Sequence, residues 1–311
     1  MRRALRILIA VVLVALVVAF ADWHAVLQVL RRVQLTWLLA ALALAVLDRL
    51  LTNVRYEVLL VARGIDVGFW RLFRMQLAAN FLGSFLPSSV GVDAVRIAAL
   101  SRSGQPTAPV VAATLIDRAS LVLATLLFGS TMLLLLAGRR IPQHLTQFVW
   151  LATAAGVLVI ALALLPVVRR LIRGRLLGLL PARIRGTVLQ IAEAALAYRH
   201  GGRVLLLTVV LTLVMFLVRI AFAKSLALAC GLDVPYVDLL LIIPVLWIIV
   251  MLPITIGGIG VQDAGYVLLM AIIGIGPALA FSMSILEHVI SRLASLPGAL
   301  CLGEVDRKAA A

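Results

Sequence analysis

Long apolar runs separated by short basic stretches dominate the chain. Six of these runs approach the length of about 20 residues that an α-helix needs to cross a bilayer. They are 4–20, 35–47, 109–137, 148–168, 204–230 and 277–302. The run 35–47 reaches that length only if the polar residues after it also stay in the membrane. The pattern predicts an all-α, polytopic integral membrane protein with about six spanning helices.

Composition supports this prediction. Of the 311 residues, 64% are hydrophobic and 13% are charged, whereas soluble domains are closer to half apolar and a quarter charged. The longest polar stretch, about 169–203, is interrupted by apolar residues and is too short for a soluble domain. The run 4–20 also resembles a signal peptide, but no convincing cleavage site ends it, so we interpret it as a first spanning helix. We therefore expect the whole chain, 1–311, to form one transmembrane domain.

The distribution of the 28 lysines and arginines predicts the orientation. Nineteen of them, including Arg55 and Arg96, lie in stretches assigned to one side of the membrane; four lie on the other side and five lie inside apolar runs. Loops rich in Lys and Arg remain in the cytoplasm, so we expect cytoplasmic termini in a bacterial inner membrane. Because the net charge of +15 follows this topology, it does not indicate binding to nucleic acid.

The cytoplasmic segment 169–203 mixes Arg with Leu and Ile. Its second half, 184–198, has the pattern of an amphipathic helix lying on anionic headgroups. An ordinary basic loop is the alternative.

Two segments of the chain resemble each other. Residues 85–94 (FLPSSVGVDA) and 251–264 (MLPITIGGIGVQDA) both contain Leu-Pro, a small or hydroxyl-rich turn and Asp-Ala. Proline and glycine interrupt helices, and in lipid such backbone persists only when it is buried or lines a wet cavity. The flanking helical segments 69–85, 92–100, 237–251 and 261–273 are short for crossings, so we predict two re-entrant hairpins. Two tilted crossings at each place are the alternative.

With both hairpins re-entrant, the unit of two spans, one hairpin and one span occurs twice in opposite orientations. Repeat one covers about 1–138 and repeat two about 147–303. Inverted repeats with broken helices near the midplane are typical of transporters. The hairpin tips also suit anions, because a helix N-terminus follows each tip and Ser88 and Ser89 add hydroxyl donors. Asp93 and Asp263 lie in the first turn of these helices, where they either cap the helix or take part in transport.

Ionisable residues also lie inside the predicted spans, and inserting each of them into the membrane costs about 2.5–3.5 kcal/mol on insertion scales. They must face one another or water. They are Asp48, Arg49, Asp117, Arg118, Arg219, Glu287, His288 and Arg292.

Four of the cations, together with the two helix N-termini, would form a cavity suited to phosphate, because guanidinium binds phosphate through two hydrogen bonds. These cations are Arg49, Arg118, Arg219 and Arg292. The acids would neutralise the empty cavity, contact an amine headgroup or carry protons, and His288 would titrate near neutral pH. Structural salt bridging between helices is the alternative for each residue.

Catalytic motifs are absent from the sequence. It has no Gly-rich phosphate loop, no His/Cys metal spacing and no G-x-S-x-G elbow. The outer loops 22–34 and 138–147 are too short for the acceptor domain of a lipid-linked glycosyltransferase. We expect no enzyme activity, no cofactor and no metal.

Several motifs resemble a known family. Residues 80–96 (NFLGSFLPSSVGVDAVR), 113–118 (ATLIDR), 253–263 and 286–300 are similar, in matching order, to the lysylphosphatidylglycerol synthase transmembrane family, which is flippase-like. Through these motifs the resemblance adds Asn80, Arg96 and Gln262 to the candidate substrate-binding residues. It does not extend to the soluble aminoacyl-transferring domain of bifunctional members, so lipid lysylation is not implied.

Two further details concern the substrate. The family often has Gly-Glu where this chain has Gly91-Val92-Asp93, and Glu where it has Gln262-Asp263, which leaves the lipid open. The run 260–266 and Glu287-His288 look most like members associated with hopanoid biosynthesis. Our first hypothesis is a lipid transporter with membrane lipids as partners. A membrane-embedded transferase or accessory subunit using Asp48, Asp93 or Asp263 as base, and a scaffold for lipid-biosynthesis enzymes, are the alternatives.

Overall fold

The structure is a computed structural model that describes residues 23–83, 90–135, 143–164, 182–251 and 260–306. Within these ranges every regular element is a helix. In lipid a helix satisfies its own backbone hydrogen bonds, which explains why this apolar sequence adopts no other element there. The prediction of an all-α membrane protein is confirmed for these residues, and the run 4–20 lies outside them.

The α-helices of the described ranges follow one another in a simple order. They are α1 (Trp23–Arg31), α2 (Leu35–Val61), α3 (Phe69–Gly83), α4 (Val90–Arg102), α5 (Thr107–Leu135), α6 (Gln143–Leu164), α7 (Ala182–Leu196), α8 (Gly202–Ala229), α9 (Tyr236–Met251), α10 (Val261–Ile272), α11 (Pro277–Leu293) and α12 (Gly303–Asp306). Two 3-10 helices, Ala197–His200 and Leu296–Cys301, precede α8 and α12.

Among the described residues, four stretches are long and apolar enough to cross a membrane: α2, α5, α8 and the stretch Pro277–Cys301. The predicted run 35–47 extends to Val61, so the polar residues after position 47 do lie in the same helix. The run 148–168 corresponds to α6, which begins at Gln143 and is described as far as Leu164.

The segments predicted to flank the two hairpins are helical. They are α3 and α4 in the first case and α9 and α10 in the second, within a few residues of the expected bounds. Their lengths of 12 to 16 residues correspond to roughly 18–24 Å, which is less than the bilayer core of about 30 Å. The tips, including Ser88 and Ser89, lie outside the described residues.

The surface of the bundle exposes many large apolar side chains, and some charged side chains are buried inside it. Large apolar side chains such as Leu134, Leu151 and Leu268 are exposed, whereas Arg55 and Asp117 are buried at 2% and 5% exposure. Lipid tails can cover the exposed leucines, but they cannot solvate a charge. The bundle is therefore apolar outside and polar at selected points inside.

The long helices α2 and α8 pack against each other, and α11 packs on both. Ala41 of α2, Leu226 of α8 and Leu286 and Ile290 of α11 form a buried cluster at this contact. The predicted outer loop 22–34 contains α1, which is a difference from the sequence prediction. Its apolar side packs toward α11, with Val26 fully buried, and this packing accounts for the helix.

The basic segment before α8 is helical where it is described. The predicted helix 184–198 corresponds to α7, which packs against α5. Tyr198 in the following 3-10 helix donates a hydrogen bond of 2.6 Å from its hydroxyl to the carbonyl of Leu59 in α2. The segment is thus attached to two long helices, and its contact with lipid headgroups remains a prediction.

The C-terminal segment packs against α3 through a glycine. A Cβ atom on Gly298 would lie 2.1 Å from the carbonyl oxygen of Leu77, a backbone atom that cannot move aside easily. Farther along, Glu304 of α12 pairs with Arg74 of α3 at 3.1 Å. The Leu296-Pro297-Gly298 motif therefore has a packing function: it brings two backbones into direct contact.

Replacement of Gly298 by alanine is expected to destabilise this contact by about 1–3 kcal/mol, since overpacking forces backbone shifts of that cost. Thermal unfolding in detergent, followed by tryptophan fluorescence, measures the effect. Gly303→Ala is the matched control, because a Cβ at Gly303 meets no atom within 4 Å. Equal melting temperatures for the two variants would contradict the close contact.

Candidate functional site

Three helices bring five charged side chains together in what we call the first ion network: Arg55, Asp93, Arg96, Asp117 and Arg118. Asp117 lies between two arginines, with one carboxylate oxygen 2.9 Å from Arg55 Nε and the other 3.5 Å from Arg96. Asp93 pairs with Arg96 at 3.1 Å and with Arg118 Nε at 2.5 Å. The five side chains thus form one continuous chain of ion pairs.

The helices position these residues by their local geometry. Asp93 lies in the first turn of α4, where unpaired N–H groups and the helix dipole favour a carboxylate. Arg96 follows one turn later on the same face and pairs with it. The Arg96 guanidinium also lies over the ring of Tyr56, at 3.7 Å from its centroid. The Tyr56 hydroxyl is 2.9 Å from that of Thr114, which ties α2 to α5 beside the network.

The first ion network carries more positive than negative charge. Its members are three arginines and two aspartates, so it has one surplus positive charge when all are ionised. Arg55, Arg96 and Asp117 are buried, whereas the Arg118 side chain is 31% exposed. Arg118 is therefore the cation of this network that an anion from outside can reach most directly.

A second polar cluster, which we call the second network, joins α10 and α11: Asp263, Tyr266, Ser284, Glu287 and His288. Asp263 accepts hydrogen bonds from the backbone N–H of Gly260 at 2.8 Å and from Ser284 Oγ at 2.5 Å. Its Oδ1 is also 3.1 Å from His288 Nε2. The hydroxyl of Tyr266 donates to the carboxylate of Glu287.

The two networks have the same spacing along the chain. Residue numbers differ by 170 in each corresponding pair. The pairs are Asp93 and Asp263, Arg96 and Tyr266, Asp117 and Glu287, Arg118 and His288. The contacts correspond as well: Asp93 meets Arg118 and Asp263 meets His288, in both cases the residue 25 positions later. Arg96 also pairs with Asp117 in the first ion network, and Tyr266 donates to Glu287 in the second.

The turns that follow the two networks also correspond at the spacing of 170 residues. Gly104 and Gly274 follow α4 and α10 with φ of 88° and 81°. Gly104 N–H donates to Ser101 at 3.2 Å, and Gly274 N–H donates to Ala271 at 3.1 Å. Both turns need a left-handed residue, which glycine adopts without strain.

A polar connection between α2 and α8 links the two networks. Asp48 of α2 pairs with Arg219 of α8 at 2.8 Å, and Arg219 lies 4.1 Å from the ring centroid of Trp247. Arg55 of the first ion network donates to Thr212 of α8 at 3.1 Å. Arg219 is also close enough to Glu287 of the second network to interact electrostatically.

The predicted cations do not all belong to the two networks or to the polar connection between α2 and α8. Arg49 is half-buried beside Arg219, and its Nε has no hydrogen-bond partner among the described residues. Arg292 is exposed on α11. Among the described residues, Arg118 and Arg219 each pair with an aspartate, and the single phosphate cavity lined by four arginines stays a prediction.

Arg55 and Arg96 are two of the cations that the sequence analysis counted on one side of the membrane. They lie inside α2 and α4, and both pair with Asp117. Among the other candidates, Gln262 is buried and Asn80 donates to the carbonyl of Gln76. Asp48, Asp93, Asp117, Asp263, Glu287 and His288 all take part in the contacts above.

Sequence reasoning missed several participants. Arg55 follows Asp48 at the spacing of two turns, which was a signal, but it was counted with the cytoplasmic cations and not among the candidate site residues. Tyr56, Tyr266 and Trp247 gave no signal, because an aromatic residue in an apolar helix is usually a packing residue.

Comparison with known proteins places the chain in a family. Residues 3–298 match the model of the lysylphosphatidylglycerol synthase TM region, so the chain belongs to that family. Membership relates it to membrane proteins of lipid metabolism or transport. No curated protein matches the chain. The hopanoid-associated subgroup remains a prediction.

Removal of the Asp117 carboxylate is expected to destabilise the protein. Asp117→Asn leaves Arg55 and Arg96 buried without this partner, and breaking a buried pair costs about 3–5 kcal/mol. Denaturant unfolding in micelles measures the loss. Asp66→Asn is the control, because Asp66 is exposed and its acceptor role toward Gly68 N–H survives in asparagine. A loss below about 1 kcal/mol for Asp117→Asn would show that the network is not a stability element.

Proposed function

We propose that this protein moves an amphipathic lipid, with a phosphate-bearing or other polar headgroup, between the leaflets of the bacterial inner membrane. The observation that carries the proposal is the first ion network, whose surplus positive charge lies within a bundle that is otherwise apolar outside. A structural bundle has no need of such a costly group. The family's relation to lipid metabolism or transport supports the same direction.

The depth of the charged groups suits a lipid headgroup in transit. Asp93 lies nine residues before the end of α4 and Asp117 ten residues after the start of α5. At 1.5 Å per residue both are roughly 14–15 Å from that end of the bundle, about half of the hydrocarbon thickness. Asp263 and Glu287 lie equally far from the turn between α10 and α11. A headgroup crossing the bilayer would therefore pass at the level of both networks.

Arg118 is the residue that we expect to bind the headgroup phosphate first. Its guanidinium is partly exposed and is held by Asp93, which a phosphate can replace as an acceptor. Arg96 keeps its contact with Asp117 while this exchange takes place. Asp93 thus holds Arg118 in place when no lipid is bound, and the phosphate of a bound lipid replaces Asp93 as the ion-pair partner of Arg118.

An inverted repeat is part of the proposal. The equal spacing of the networks and the matching order of a long helix, two shorter helices and a longer stretch support two related halves. We propose that the hairpins α3–α4 and α9–α10 enter from opposite faces, with both termini cytoplasmic. Rocking of one half against the other would then expose the headgroup site alternately.

Cysteine labelling tests the opposite orientation of the halves. Thr107→Cys and Pro277→Cys place single exposed thiols at equivalent positions, the first residues of α5 and α11. The free cysteines Cys230 and Cys301 are replaced by alanine in both variants. A membrane-impermeant maleimide applied to right-side-out and inside-out vesicles is expected to label Thr107→Cys from the cytoplasm and Pro277→Cys from outside. Labelling of both from one side would overturn the inverted repeat.

Lipid movement itself is tested in reconstituted vesicles containing fluorescent phosphatidylglycerol, with dithionite quenching of the outer leaflet. The wild-type protein is expected to speed leaflet exchange, and Arg118→Ala to reduce the protein-dependent rate by about tenfold or more, since a bidentate phosphate contact is lost. Arg118→Lys retains the positive charge but loses the two parallel hydrogen bonds of a guanidinium group, and its exchange rate is expected to be intermediate.

Arg203→Ala is the matched control for Arg118→Ala. Arg203 is an exposed arginine at the start of α8, outside both networks, and its loss is expected to leave the rate unchanged. A wild-type rate equal to that of Arg118→Ala would overturn the transport proposal. A covalently altered lipid in a deletion strain would favour the transferase or accessory-subunit alternative instead.

A further inference from the structure

The corresponding positions of the two networks differ in one chemical respect. Where the first ion network has Arg96 and Arg118, which are charged at all relevant pH values, the second has Tyr266 and His288. The acids at the other two positions are retained. The second network therefore has two carboxylates, and its only member that can become a cation is His288.

The contacts of His288 show where a proton would bind. Asp263 receives hydrogen bonds from Gly260 and Ser284 and faces His288 Nε2, an arrangement that favours its carboxylate form. A neutral imidazole beside this acceptor carries its hydrogen on Nε2. The ring therefore has its free lone pair on Nδ1. An incoming proton binds Nδ1, and the ring changes from neutral to a single positive charge without any covalent change in the protein.

The other charged or titratable groups around the second network come from neighbouring helices. Arg219 of α8 interacts with Glu287, and Cys230, the residue after α8, interacts with Tyr266. Arg219 is already paired with Asp48 of α2, with Arg49 beside it. Among the described residues, the permanent cations near the second network thus belong to the α2–α8 contact, and Arg292 is exposed one turn beyond His288.

We propose that the second network is a proton-binding site and that lipid transport is coupled to proton binding at His288. The inference rests on the transport function proposed above. With the proton bound, His288 has a positive charge at the position where Arg118 has a permanent one. When both carboxylates are ionised, the net charge of the second network then falls from two negative charges to one, which lets an anionic headgroup approach this half of the protein. Loss of the proton toward the other side removes the charge and releases the headgroup. By reciprocity, the bound headgroup strengthens proton binding to the same degree.

The test compares leaflet exchange of fluorescent phosphatidylglycerol at pH 6 and pH 8, equal on both sides of the vesicles. A step that needs a proton on His288 slows as that proton is lost, by up to tenfold for each pH unit once most of the sites are empty. The wild-type rate is expected to fall at least about fivefold from pH 6 to pH 8. His288→Arg restores the residue of the first ion network and is expected to change by less than twofold.

Two further variants keep the test decisive if His288→Arg folds poorly. His288→Gln retains a polar side chain without a titratable group and is expected to be slow at both pH values. Arg118→Lys changes the corresponding residue of the first ion network and adds no group that titrates between pH 6 and pH 8. The ratio of its exchange rates at these two pH values is expected to equal that of the wild-type protein. Gel filtration in detergent verifies that each variant is folded before it is reconstituted.

The outcomes separate the coupling from transport itself. Leaflet exchange that is fast and independent of pH in the wild-type protein overturns the coupling and leaves the transport proposal standing. Exchange no faster than in protein-free vesicles at either pH overturns both. A pH gradient supplies an independent measurement: the coupled protein accumulates labelled lipid in one leaflet, and His288→Arg distributes it equally. Equal distribution by the wild-type protein also overturns the coupling.

Discussion

A charge can remain inside a membrane protein only if another group in the protein takes the place of water, and the contacts of Asp117 show what this constraint requires. Asp117 pairs with Arg55 from α2 and with Arg96 from α4, while it belongs to α5. Three helices must therefore stand at one relative height. Because α4 begins only three residues before Asp93, the first turn of this short helix must also lie at that height. The ion pairs and the start of α4 thus answer the same requirement.

The contact between α2 and α8 has a different character. It contains the ion pair Asp48–Arg219 and the hydrogen bond from Arg55 to Thr212, surrounded by apolar packing that includes Ala41 and Leu226. Polar contacts of this kind are directional, so they define how the two helices align, whereas small and branched apolar side chains tolerate sliding. Because Arg219 pairs with Asp48 and also interacts electrostatically with Glu287, the charges of these two acids influence each other.

Much of the helical framework could be predicted from the sequence, because long apolar runs and the Leu-Pro interruptions are local signals. The flanks of both hairpins agree with the structure within a few residues for this reason. Pairing was harder to predict. The exposure of Arg292 and the burial of Arg55 depend on which neighbour each helix face meets, and both residues stand on helices with similar local patterns. The matching of Tyr266 with Arg96 was also hidden, since the two side chains share neither charge nor shape and only their contacts reveal the correspondence.

The segment after α11 has a mechanical consequence. Whereas α5 continues as one helix to Leu135, the corresponding stretch changes at Leu293 into a 3-10 helix, and from there Gly298 and Glu304 attach it to α3. The C-terminal segment is thus attached to α3. In the proposed rocking motion, the boundary between the moving bodies would therefore differ from the boundary between the two proposed repeats. It would run through the last of the long apolar stretches, close to Ala294 and Ser295.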